Sequence, residues 1–183
     1  MKLSPADLHH LRAAEGWLDL GDWLSANDEL ESVTPELRAH PEVLRMRWHV
    51  YTDAKHWELA LVVAETLCLM APEDSSTWIH RSYALHELKR TDEAEALLLP
   101  ALDRFPEEPT VAYNLACYAC VLGRAEEARK LLDRAITVSG DHGDEMNLLA
   151  MMVRIWGRCG KILVVAEVPG VPPPSSTCVT EQR

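Results

Sequence analysis

Apolar and small residues recur along this chain at helical spacing, in paired segments separated by short breaks. Between Pro109 and Gly140, Ala112, Leu115, Ala116 and Ala119 fall three, one and three residues apart, which puts them on one side of a helix ending near Leu122. Gly123 breaks that pattern. Ala125, Ala128, Leu132 and Ala135 then line a second helix, and Gly140 stands beyond its expected end, where a left-handed residue is useful. The predicted unit is helix, turn, helix, with small residues letting the two helices approach closely.

The unit repeats. Steps of 34 residues carry Pro109 back to Ser75, Pro41 and Asp7 and forward to Gly143, without insertion. The alanine at the twentieth position recurs as Ala26, Ala60, Ala94 and Ala128, and the residue three places before it is Trp23, Trp57, Thr91 and Ala125. A helix-ending proline recurs as Pro72 and Pro106, with Gly140 in its place in the fourth copy. This period and pattern resemble the tetratricopeptide repeat (TPR), a helical hairpin that stacks into a right-handed superhelix. The resemblance covers roughly Asp7 to Trp156 and implies an all-α, right-handed α-solenoid. The alternative for such a pattern, an irregular helical bundle, does not account for the regular period.

The expected hairpins span 7–40, 41–74, 75–108 and 109–142. A capping helix at 143–156 carries Met146, Leu149, Ala150 and Val153, and the tail at 157–183 is expected to be disordered from Pro169. Ser4, Pro5 and Asp7 read as N-cap, first helical residue and first-turn acid, so the first helix should start near Pro5 and bury Leu8, Leu11, Ala14, Trp17 and Leu18. Thr34-Pro35 should end the second helix early and leave a short helical turn before Pro41. Pro100 should bend or loosen the end of the sixth helix. Lys55 and Lys89 stand where Gly21 and Gly123 make the turn, which suggests a helical rather than left-handed turn in those copies. Arg81 replaces a large apolar residue, and its stem is expected to cross the core with the head exposed.

Composition narrows the function. The formal net charge of −11 argues against nucleic acid, which needs clustered Lys and Arg. It either favours basic partners or merely keeps the surface solvated. The start, MKLSPADLHHLRAAEGW, lacks the apolar segment of a secretory signal, and no run approaches the length of a membrane span, so the expected location is cytoplasmic, with no membrane partner. Five cysteines at uneven spacings do not resemble a disulfide framework.

No phosphate-cradling glycine loop, nucleophile elbow or HExxH occurs, so catalysis is not expected, and neither is a cofactor. Cys117 and Cys120, with His86 on the preceding inner helix and His49 as the nearest fourth partner, are a candidate for a soft metal or thiol chemistry. Cysteine also serves as a small buried hydrophobe.

The resemblance implies a different function. First helices of TPR hairpins line a concave groove that binds peptide segments, through their fifth, ninth and twelfth positions. Here these are Leu11, Glu15 and Leu18; Arg45, His49 and Thr52; Ile79, Tyr83 and His86; Tyr113, Cys117 and Cys120; Asn147, Met151 and Arg154. A TPR subclass clamps chaperone C-terminal carboxylates with a Lys, Asn and Arg set. This chain offers Leu11, Glu15, Met46, Ile79 and Tyr83, or one repeat later Arg45, His49, His80, Tyr113 and Cys117, and only Asn114 fits. The expected function is a non-catalytic adaptor binding a protein or peptide through Arg45, His49, Tyr83, His86, Tyr113, Asn114, Cys117 and Asn147. The runner-up is a structural or self-associating solenoid.

Overall fold

A computed structural model of the protein describes residues 2–140. Among them, helices α1 (Pro5–Asp19) and α2 (Trp23–Ser32), α3 (Pro41–Asp53) and α4 (Trp57–Met70), α5 (Ser75–Glu87) and α6 (Thr91–Leu98), and α8 (Pro109–Val121) and α9 (Ala125–Gly140) form antiparallel hairpins. A short α7 (Ala101–Arg104) follows α6, and a 3₁₀ turn at Pro35–Leu37 separates α2 from α3. Each second helix also packs on the next first helix, α2 on α3, α4 on α5 and α6 on α8, which stacks the hairpins into a solenoid. The expected capping helix and tail lie outside the described residues.

Alanine at the hairpin contact makes the stacking possible: Ala26, Ala60, Ala94 and Ala128 are all wholly or almost wholly buried. A first core, with Leu11, Ala14, Ala26, Leu30, Val33, Leu37, Val43 and Val50, joins hairpin one to α3. A second runs from Leu44 through Leu67, Leu85 and Leu98 to Leu115 and Tyr118. Tyr51 packs against both.

The sequence places the boundaries for identifiable reasons. Ser4 Oγ accepts the Asp7 N–H at 3.2 Å and the Asp7 carboxylate accepts the Ser4 N–H at 3.0 Å, a reciprocal cap on α1. The other Asp7 oxygen accepts the Thr34 N–H at 2.9 Å, so one buried carboxylate closes the start of α1 and the chain leaving α2. Pro100 does more than loosen α6, because the helix stops at Leu98 and resumes at Ala101.

Four expectations are corrected. Lys55 and Lys89 have φ of 56° and 65°, in the same left-handed region as Gly21 at 76° and Gly123 at 80°. The hairpin needs that turn whichever residue occupies it, and lysine bears a steric cost there that glycine does not. Trp17 is exposed rather than part of the α1 core face. Arg81 does not project a free head: its guanidinium carbon lies 5.4 Å from the Trp78 ring and its Nε is buried without a hydrogen-bond partner. Finally, α9 runs through Gly140 instead of ending before it, since that glycine lies within the helix.

Candidate functional site

The first helices α1, α3, α5 and α8 carry the expected groove residues, and the structure divides these into three groups. Leu11 and Cys120 are buried, so they belong to the packing and not to the groove surface. Arg45, Tyr83, His86, Tyr113, Asn114 and Cys117 are half-buried. His49 is exposed, and Asn147 lies outside the described residues.

Several of the half-buried groups are committed to neighbouring hairpins. Arg45 donates to Asp74 at 2.9 Å, tying α3 to the cap of α5. Burial pushes the Asp74 carboxyl up, but the Ser76 hydroxyl, Arg45 and the Ser76 N–H outweigh it and hold the group below its ordinary range. Tyr83 meets the Trp57 ring edge-on at 5.7 Å. The His86 Nδ1 is 3.1 Å from the Thr91 hydroxyl, and its ring lies 4.9 Å from that of Tyr118. Tyr118 is itself fully buried and donates to Ser82 at 3.2 Å, while burial raises its phenol well above the ordinary range.

Around His49 lies a constellation whose other two members, Trp48 and His80, the fifth, ninth and twelfth positions did not include. Trp48 and His80 stack with ring centroids 3.7 Å apart and planes 13° from parallel. His49 meets both edge-on, 5.2 Å from Trp48 and 6.0 Å from His80. Trp48 Nε1 and His80 Nδ1 are buried without hydrogen-bond partners. Desolvation, reinforced by His49 and Arg45 against the opposing Asp74, pushes the His80 pKa down to about 4. His49 is lowered as well, by desolvation against Asp53 and Glu15. Both rings are therefore neutral at pH 7.

The signal for this pair was present in the repeat alignment. Trp48 occupies the position held by Ala14, Ser82 and Ala116 in the other copies, where small residues let helices close up. With an indole there, α3 and α5 approach each other less closely than α1 and α3 or α5 and α8 do. The rings fill the resulting gap.

The cysteine and histidine set does not assemble into a site. Cys117 carries a half-buried thiol, Cys120 is buried, and His86 turns to Thr91 and Tyr118. Among the described residues, no group of three or more His, Cys, Asp or Glu side chains could hold a metal ion.

Outside the groove, α4 differs from the other second helices. Its exposed positions are Leu59, Val62, Leu69 and Met70 together with Glu58 and Glu65, whereas those of α9 include Glu126, Glu127, Arg129, Lys130 and Asp133. No helix of the described residues is long and apolar enough to cross a membrane.

Neither a family model nor a curated protein matches the sequence. Solved structures do match the fold. TTC0263, a thermophilic TPR protein of Thermus thermophilus, is 18% identical, with a TM-score of 0.70 over 85% of this chain and 84% of that one. MamA residues 41-end from Desulfovibrio magneticus RS-1 give 18% identity and a TM-score of 0.67 over 75% and 77%. YrrB, described as a TPR protein with an unusual peptide-binding site, gives 20% identity and 0.63 over 81% and 75%. With these matches, the hairpins and their stacking define an all-α solenoid of the TPR fold.

Proposed function

We propose that this chain is a non-catalytic protein-interaction scaffold that associates solenoid to solenoid. The observation that carries this reading is the state of the first-helix side. Arg45, Tyr83 and His86, which a groove would offer to a peptide, instead bind Asp74, Trp57, Thr91 and Tyr118. Those contacts engage the groove side chains within the hairpin stack, while large apolar groups stand on the outside, available for association. The mass of the full chain, measured by light scattering over a concentration series, tests the reading. It should rise above that of the monomer, and a constant monomer mass would count against it.

A second reading, a peptide held in the groove, draws support from the exposed His49 and the half-buried Tyr113. The fold shared with YrrB is compatible with it. Capture from native cell extract on the immobilised chain, with and without Tyr113→Ala, is its test.

A further inference from the structure

We propose that Arg81, held over the Trp78 ring, is a carboxylate-binding subsite that takes a glutamate side chain of a partner protein. The inference does not depend on the self-associating reading. It starts from a charge left without a counter-charge. Arg38, Arg45, Arg47, Arg124 and Arg134 are half-buried, and each donates to a carboxylate or a backbone carbonyl. Arg81 is half-buried too, yet among the described residues it has no hydrogen-bond or ion-pair partner. A cation drawn partly out of water is ordinarily paired.

The Arg81 head is also accessible and held in place. Only its Nε is closed to solvent, so the terminal nitrogens, Nη1 and Nη2, stay open. Its guanidinium carbon lies 5.4 Å from the Trp78 ring centroid, and that of Arg104 lies 5.6 Å from the same ring. Glu73 answers the Arg104 charge, which leaves Arg81 as the uncompensated one. The platform is fixed before anything binds: Trp78 donates its Nε1 hydrogen to the Pro72 carbonyl at 2.9 Å and meets Phe105 edge-on at 6.2 Å. A planar guanidinium resting on a fixed ring loses little freedom on binding.

The repeat shows which anion fits. One repeat earlier the same position is Arg47, which binds the Glu31 carboxylate at 2.8 Å. Glu65 is the counterpart of Glu31, but it makes no bond to Arg81; it stands exposed, near enough to Arg90 to raise that group's pKa. The fork that Arg47 closes on the chain's own glutamate is therefore open at Arg81 for one from outside. Trp78 and Phe105 offer apolar surface to the methylenes of such a side chain, which a bare phosphate does not have. The subsite is a local exception on a chain of formal net charge −11, so it orients one side chain of a partner and does not gather an acidic surface.

Nitrogen NMR of the full chain tests the proposal, with N-acetyl-glutamate methylamide as the probe and the Arg81 Nε–H and Trp78 Nε1–H resonances as reporters. Burial shields one of these hydrogens from exchange and the Pro72 bond the other. The probe should shift both saturably, and the isosteric glutamine derivative should shift neither. Arg81→Leu should fold, because Leu115 holds this position in the next hairpin, and its Trp78 signal should no longer respond. No shift in the parent overturns the proposal, as does an equal response to the glutamine derivative or a response that survives in Arg81→Leu. An equal response to inorganic phosphate assigns a general anion site and overturns the choice of glutamate. Glu65→Gln should leave the Arg81 resonance where it is without probe; a movement as large as the probe causes would make Glu65 the occupant and overturn an outside one.

Discussion

The indole of Trp48 lies flat against the imidazole of His80, 3.7 Å away across the boundary between the second and third hairpins. Folding takes His80 out of water, so the folded state binds the proton less readily than the unfolded one. The His80 contribution therefore destabilises the fold as pH falls from about 6.5 towards 4 and levels off below. The full effect is about 3 kcal/mol. Urea unfolding at pH 7 and pH 5 should show a lower midpoint at pH 5, and His80→Phe, which keeps a ring on Trp48, should narrow that difference. Equal pH sensitivity in the variant would assign it to other groups.

Asp7 has the opposite sign. Hydrogen bonds from the Ser4 side chain, the Thr34 N–H and the Ser4 N–H hold its carboxyl far below the ordinary range. The stability it contributes is complete above about pH 4 and is lost progressively as pH falls below that value. Asp7→Asn should lower the melting temperature at pH 7 and flatten the acid limb of the stability profile. A variant with the parent's acid limb would show that the Thr34 closure does not depend on charge.

The turn lysines give a gain instead of a loss. Lys55 and Lys89 hold left-handed backbones, and a non-glycine residue there carries about 1–2 kcal/mol of steric cost. Lys89→Gly should stabilise the fold by up to about 1 kcal/mol after the greater freedom of glycine in the unfolded chain is counted. Lys89→Ala keeps the cost and serves as the control. Chemical denaturation of the three proteins should rank Gly above both others.

Ala94 is fully buried between α5 and α6 in the third hairpin. Ala94→Leu should force the helices apart and cost about 1–3 kcal/mol. An unchanged unfolding midpoint would be incompatible with the close contact at this position.

For the groove reading, Tyr83 and Tyr113 changed together to Ala should weaken peptide capture by about 2 kcal/mol or more, with Glu126 and Lys130 substitutions as surface controls. Tyr83 also packs edge-on against Trp57, so the double change should lower the melting temperature.

Much of the fold was legible because its determinants are local and periodic: a 34-residue step, alanine at the twentieth position, proline at the exits and a Ser4–Asp7 cap. The turn lysines misled because propensity argues against a left-handed lysine, whereas the tertiary requirement of the hairpin overrides propensity. The groove was legible only as positions. Whether Arg45 is free or bound to Asp74 depends on a residue 29 places away, and the Trp48–His80 stack on one 32 places away, neither of which helical spacing encodes. The bare side of α4 left a trace in its nearly uncharged sequence, which burial within the solenoid alone explains for only half of the helix.

The side-chain ties between hairpins share a reach. Arg45 to Asp74, Arg104 to Glu73, Arg124 to Glu95, Arg134 to the Leu102 carbonyl and Tyr118 to Ser82 each join residues about one repeat apart. Each of these knots fastens adjoining links, like stitches in a single row. A lesion in the last hairpin should therefore unravel its neighbour first and leave the opposite end protected, so amide exchange read along the chain should form a gradient instead of one common threshold.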